Sequence, residues 1–222
     1  AERTVAGRRR RTTRSALLMG AAGANRHAAR ILEVGCGTGD YTRALAGCTQ
    51  ATLVGVDVTP AVVFRLRERV PVNVRVLAAD VEALPFPDGA FDAIVGNAVL
   101  HHLRLDRAIP EMLRVLRPGG RFCFAEPNLL NPQVFIERKF TFLRPWLSYV
   151  SPDETAFVRW RIATALRRSG FDEVEVTPFD WLHPSTPERL IGTLSAVGRF
   201  LERIPVLKEF AGSVLIRCRR PP

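Results

Sequence analysis

"ILEVGCGTGDYT" occupies residues 31–42 and places Gly35, Gly37 and Gly39 within five positions, behind an apolar run. Glycine at that density costs folding entropy, so it marks a place where bare backbone is needed. "RILEV" (30–34) reads as a buried strand and "YTRALAG", after the glycines, as a helix. A strand, a glycine turn and a helix N-terminus together make a ligand site. The helix offers unpaired N–H groups, and glycine lets a ligand reach them. The dinucleotide spacing G-x-G-x-x-G fails, because Asp40 stands at the sixth position. No G-K-[S/T] follows to make a phosphate loop.

The acids around this turn narrow the ligand. Glu33 precedes the first glycine, where it would repel an anion and attract an ammonium or sulfonium. Asp57 ends the next strand, "ATLVGVD" (51–57), 22 residues after Gly35. Doubly wound folds hold ribose hydroxyls at that place. Asp80 ends a third strand, "VNVRVLAAD" (72–80). Three acids at three consecutive strand ends suit a cationic nucleoside. Each also has a plainer reading: Glu33 as a helix cap, Asp57 as the start of a turn before Pro60, and Asp80 as the cap of a short helix.

The same rhythm continues outward. Thr59 can cap a helix from Pro60 to about Val70. "FDAIVGN" (91–97) is a fourth strand. A helix over 107–116 needs Pro110 near its first turn, "RPGG" (117–120) reads as a turn, and 121–127 as a fifth strand. Alternating strands and helices predict βαβ units and a parallel sheet. Residues 127–153 then read as a long loop or short helical insert. Helices over 155–170 and 187–204 and strands over 171–181 and 212–219 complete the pattern. Fourteen of the 18 aromatics lie from residue 122 onward, which places an apolar pocket towards the C-terminal half.

A chain of 222 residues with 47% hydrophobic content predicts one domain over 1–222. Its parts are a basic segment (1–30), a ligand-binding half (31–127) and a covering half (128–222). No apolar run reaches the length of a membrane span, and no signal peptide opens the chain. Cys36, Cys48, Cys123 and Cys218 show no metal-ligand spacing. They predict free thiols in a reducing cytoplasm and no metal site. The net charge of +10 is concentrated: residues 1–30 hold eight Arg and one Glu, or +7. A solvated or disordered leader around Arg8 to Arg11 is the plain reading. Contact with an anionic substrate, a membrane surface or RNA is the sharper one.

"LEVGCGTG", "VGVD", "AADVEALPFPDGAFDAIVGNAVLHHL" and "VLRPGGRFCFAEP", in that order, resemble the motif set of class I S-adenosylmethionine-dependent methyltransferases. The resemblance implies an α/β, Rossmann-like, doubly wound sheet of seven strands in the order 3-2-1-4-5-7-6, with strand seven antiparallel. It implies S-adenosyl-L-methionine as cofactor. Gly35, Cys36, Gly37 and Gly39 would then pass its methionine part, with Glu33 near the amino end. Asp57 would accept from the ribose hydroxyls, Val58 would pack on adenine, and Asp80 and the Val81 N–H would meet the adenine edge. Asn97 would line the transfer region.

Methyl transfer from a sulfonium is an in-line displacement in which positioning supplies much of the acceleration. An oxygen acceptor must also lose a proton, and histidine suits that task near neutral pH. His27 lies before the motifs. His101 and His102 follow strand four, beside the transfer site that the resemblance implies, and His183 follows strand six in "DWLHPSTP". Capping or packing is the plainer role for each of the last three. Strand four ends "NAVL" rather than in the Asn/Asp-Pro-Pro-aromatic motif, and there is no Pro-Cys pair or catechol-type carboxylate set. What remains is metal-independent transfer to a hydroxyl of a small or lipid-like molecule. A quinone-type ring carbon or a nitrogen is the alternative acceptor, and an RNA-associated enzyme is more distant. Leu190, Ile191, Leu194, Val197 and Leu201 share helical spacing and predict packing into the core or a pocket, with weak membrane-surface contact as the alternative.

Overall fold

The structure, a computed structural model, describes residues 4–23, 29–139 and 156–222. Strands β1 (Arg30–Val34), β2 (Thr52–Asp57), β3 (Val74–Ala78), β4 (Phe91–Asn97), β5 (Leu116–Pro127), β6 (Asp172–Phe179) and β7 (Ser213–Arg219) form one sheet. Its order is β3-β2-β1-β4-β5-β7-β6. Strand β7 runs antiparallel to β5 and β6, and the other pairings are parallel. Topology and strand direction are those the motif order implies.

Side chains alternate along each strand, so one sheet builds two cores. On one face Leu32, Val34, Ile94 and Phe122 pack with α4 (Leu105–Val115) and α6 (Arg159–Arg168). On the other, Ile31, Leu53, Val95 and Cys123 pack with α1 (Val5–Ala22), α2 (Asp40–Ala46) and α3 (Pro60–Arg67). Each fully buried Leu, Ile or Phe contributes about 1.5–3 kcal/mol. Coverage on both faces explains why the central strands read as continuous apolar runs.

Several expectations are corrected. The stretch around Arg8 to Arg11 is not a solvated leader. Residues 5–22 form a helix, capped by the Thr4 hydroxyl accepting from the Gly7 N–H and ended by left-handed Gly23. Leu18, Met19 and Ala22 enter the core, and helical periodicity carries Arg10 and Arg14 inward together while Arg8 and Arg9 stay exposed. Pro110 is the sixth residue of α4, not a first-turn residue, because the helix opens earlier, with the Ala108 N–H donating to the Arg104 carbonyl. "RPGG" is a bulge within β5: pairing jumps from Phe91↔Leu116 to Ala93↔Arg121. Helix α3 stops at Arg67, β3 is shorter than 72–80, and α6 begins at Arg159. The segment 127–153 includes α5 (Pro132–Lys139); residues 140–153, like His27, lie outside the described residues.

Helix α7 (Glu188–Leu201) departs most from its pattern. Of Leu190, Ile191, Leu194, Val197 and Leu201, only Ile191 is buried; Leu190, Leu194 and Val197 are exposed. The helix turns its Ile191–Gly198 face inward instead. A Cβ on Gly198 would lie 2.9 Å from the Trp181 Cβ, so this glycine sets the close approach.

The turn after β1 gives a first expected outcome. Gly39 has φ +79°, and a Cβ there would lie 2.1 Å from Leu66 Cδ1. Left-handed strain and overpacking together should make Gly39→Ala less stable by about 2–4 kcal/mol. A urea melt checks this; an unchanged midpoint would show that the turn relaxes freely.

Candidate active site

The glycine loop crosses the carboxyl ends of β1 and β2. The Gly35 and Cys36 N–H groups both donate to the Val56 carbonyl, at 2.9 and 3.0 Å. The Gly37 N–H donates to Asp57 Oδ2 at 3.0 Å, and Asp57 Oδ1 accepts from the Thr59 N–H at 2.9 Å. A Cβ on Gly35 would meet Val99 at 2.6 Å, whereas one on Gly37 would meet nothing within 4 Å. The outer glycines are therefore needed by packing, and the middle one opens onto space. Cys36 is buried, and burial first, then Glu33 and Asp57, pushes its thiol up to about 12. Its side chain fills the interior, leaving the backbone to face a ligand.

Glu33 is only 2% exposed, and its Oε2 has no hydrogen-bond partner. Burial pushes its carboxyl up to about 7, with the Thr42 hydroxyl working the other way. It does not cap α2, whose N-cap is Gly39. A buried carboxyl with one unpartnered oxygen, at the strand end before an open glycine loop, fits a cationic group.

Asp80 Oδ1 accepts from the Glu82 N–H at 2.9 Å and caps a short 3₁₀ turn, Val81–Ala83. Both the capping and turn readings of Asp80 and Asp57 thus hold. The Asp80 residue remains exposed. Val58 is 70% exposed, and Val81 is buried.

Asn97, at the end of β4, accepts on Oδ1 from Arg14 Nη1 at 3.0 Å. Arg14 also donates to Asp180 Oδ2, from Nε at 2.9 Å and Nη2 at 2.7 Å, and to Ser213 Oγ. Arg10 Nε donates to the same Asp180 oxygen at 2.9 Å. Burial alone would push the Asp180 carboxyl up; the Arg14 and Arg10 guanidiniums reverse this and hold it below its ordinary value. Sequence reasoning missed this network. Its signal was slight: two arginines four apart, and an acid in "FDW" just past strand six.

His101 is buried, with Nδ1 2.7 Å from Glu126 Oε2. Glu126 has no accessible surface, and its Oε1 accepts from the Val99 and Leu100 N–H groups, both at 2.9 Å. The loop after β4 therefore hangs on the end of β5. His102 is exposed, its ring centroid 4.1 Å from that of His101. His183 lies on a different segment, where its Nδ1 accepts from the Ser185 N–H at 3.1 Å. Glu126 stood within the quoted "FAEP" without a role; an acid closing an otherwise apolar strand was the available signal. Among the described residues, no group of three or more His, Cys, Asp or Glu could hold a metal ion, and no helix is long and apolar enough to cross a membrane.

Residues 32–124 match a family described as a methyltransferase domain. The 2-methyl-6-phytyl-1,4-hydroquinone methyltransferase of Synechocystis sp. is 33% identical over 165 residues, which is 71% of this chain and 51% of that protein. The malonyl-(acyl-carrier protein) O-methyltransferase of Geobacter sulfurreducens is 36% identical over 170 residues, covering 72% and 62% respectively. The chain thus spans between half and two thirds of the length of these curated relatives. An S-adenosylmethionine dependent methyltransferase from Mesorhizobium loti shares the fold, with TM-score 0.65 and 21% identity over 94% of this chain and 100% of that one. With the seven-stranded order, the glycine turn and the ordered motifs, these likenesses place the chain in the class I S-adenosylmethionine-dependent methyltransferase family.

Proposed function

We propose that the chain transfers the methyl group of S-adenosylmethionine to a hydroxyl of a small, lipid-like molecule. The observation that carries the cofactor assignment is the buried Glu33 carboxyl, whose Oε2 has no hydrogen-bond partner, at the strand end that leads into a loop left open at Gly37. In this reading Glu33 faces the methionine ammonium. Asp57, already fixed by two backbone N–H groups, offers its carboxylate to the ribose hydroxyls. Val58 covers adenine, with Asp80 and Val81 at its edge, and Asn97 borders the transfer region. The cofactor supplies an activated methyl on sulfur. The chain supplies alignment and exclusion of water. His102, exposed beside a His101 locked on Glu126, is the candidate general base, with His183 the alternative from the covering half.

Transfer to a ring carbon is the second reading, favoured by the name of a Stutzerimonas stutzeri relative, a ubiquinone/menaquinone biosynthesis C-methyltransferase 36% identical over 118 residues. Mass spectrometry locating the new methyl on the product separates the two. The cofactor step is tested by calorimetry. Wild-type protein should bind S-adenosylmethionine, and Asp57→Ala should weaken binding at least about tenfold, equivalent to about 1.4 kcal/mol. Wild-type protein without measurable binding at high micromolar cofactor would sink the proposal.

A further inference from the structure

A cavity of about 550 Å³ lies between α1, α7 and the ends of β6 and β7, away from the glycine loop. That volume suits a small-molecule ligand. Phe179, Trp181 and Leu215 contribute to its wall, and Leu17 and Leu194 line it while remaining 40% and 39% exposed. Apolar side chains left open along a concavity suit an apolar ligand segment.

Its charge is one-sided. Six cationic side chains line it against two carboxylates, Asp180 and Glu202. Asp180 is taken up by Arg10 and Arg14. Glu202 accepts from the Asp180 N–H at 2.9 Å; burial pushes its carboxyl up, while that N–H and nearby Arg199 work the other way. Arg217 is paired with Glu175. Arg9, Arg199 and Lys208 form no ion pair among the described residues. Among the described residues the lining therefore keeps three cations outside any ion pair against one such carboxylate, Glu202.

The cavity also shares a buried side chain with the end of β4. Arg14, one of its walls, donates to Asn97 at the end of β4. Arg9 and Arg199 are exposed while Arg14 is buried, so the uncommitted charge sits at the mouth.

We propose that this cavity is the acceptor subsite and that the methyl acceptor is an anionic amphiphile. Its carboxylate or phosphate rests on Arg9, Arg199 and Lys208, its apolar part runs along Leu17, Trp181 and Leu194, and its reacting end points past Arg14. This rests on the methyltransferase reading above. The concave apolar lining favours a single small molecule over a flat membrane or a nucleic-acid backbone.

The test is calorimetry on the full chain with dodecyl phosphate, dodecanol and dodecyltrimethylammonium, each below its micellar concentration. S-adenosylhomocysteine is titrated in parallel. Dodecyl phosphate should bind at least about tenfold more tightly than dodecanol, and the ammonium should bind more weakly than either. The triple variant Arg9→Gln, Arg199→Gln, Lys208→Gln should lose that preference and keep its melting temperature and its affinity for S-adenosylhomocysteine. Leu194→Glu, an exposed substitution, should weaken dodecyl phosphate and dodecanol together. Equal binding of phosphate and alcohol, or an unaffected triple variant, overturns the inference while cofactor binding leaves the enzyme reading standing. Binding to phosphatidylglycerol vesicles without binding of monomeric dodecyl phosphate also overturns it, in favour of a membrane surface. If dodecyl phosphate binds and S-adenosylhomocysteine does not, the methyltransferase reading falls, and the acceptor role of the cavity with it.

Discussion

Glu33→Gln should make the cofactor-free protein more stable above neutral pH and, at the same time, poorer at binding S-adenosylmethionine. The Glu33 carboxyl ordinarily titrates at 4.5 and is pushed up to about 7 by burial. The folded chain therefore keeps this proton where the unfolded chain has lost it. Its stability contribution is fully present below pH 4.5 and is lost as pH rises towards 7. The difference of 7 − 4.5 = 2.5 pH units corresponds to at most about 3 kcal/mol. Glutamine carries no charge and escapes the whole penalty. Thermal melts of both proteins should coincide near pH 4 and separate by several degrees at pH 8, the variant melting higher, at roughly 2–4 °C per kcal/mol for a chain of this size. Cofactor affinity should move the opposite way, by about ten- to a hundredfold, because a neutral amide gives the ammonium no counter-charge. Melts that stay parallel across pH would show that Glu33 is not a strained buried charge. Unchanged affinity would show that it does not face the cofactor.

Glu126→Ala carries the second large effect. This carboxylate is wholly enclosed and holds three groups: two backbone N–H donors from residues 99 and 100 and the His101 ring. Truncation leaves those donors enclosed without an acceptor, at about 1–3 kcal/mol each. A total loss of about 3–5 kcal/mol is expected, in line with breaking one half of a buried pair. Glu126→Gln should recover part of it, since an amide oxygen still accepts from the two N–H groups. Its amide nitrogen or remaining lone pairs cannot match a charged oxygen at His101 Nδ1. Urea unfolding ranks the three proteins, and NMR titration of His101 reports the ring. An alanine variant as stable as the parent would mean that the loop after β4 is held by other contacts.

What could be read from the sequence follows the range of the interactions. The glycine turn and the acids at the strand ends are legible because each is encoded within a few residues and repeats at βαβ spacing. The strand order is implied only by the resemblance of the ordered motif set. Helix α1 was illegible for the opposite reason. Arg10 and Arg14 look like part of a solvated run until Asp180 appears, 170 and 166 residues away. Local sequence shows their charge but not their partner. Helix α7 is legible in part: Ile191 enters the core and Leu194 lines the cavity, but the residue that sets its close approach is Gly198, which has no side chain to signal it. The role of Glu126 depends on the loop after β4, which meets the end of β5 only once the sheet is assembled.

The clasp of Arg10 and Arg14 on Asp180 also bears on the order in which the molecule is made. Helix α1 precedes all seven strands, and its anchoring acid follows strand β6. Ser213, the other partner of Arg14, opens the last strand. During synthesis α1 therefore waits with its guanidiniums unmatched until almost the whole sheet has emerged. Contacts of that sequence separation form late and slow the final step of folding. An element made before the whole sheet is locked into place only when the sheet is nearly complete.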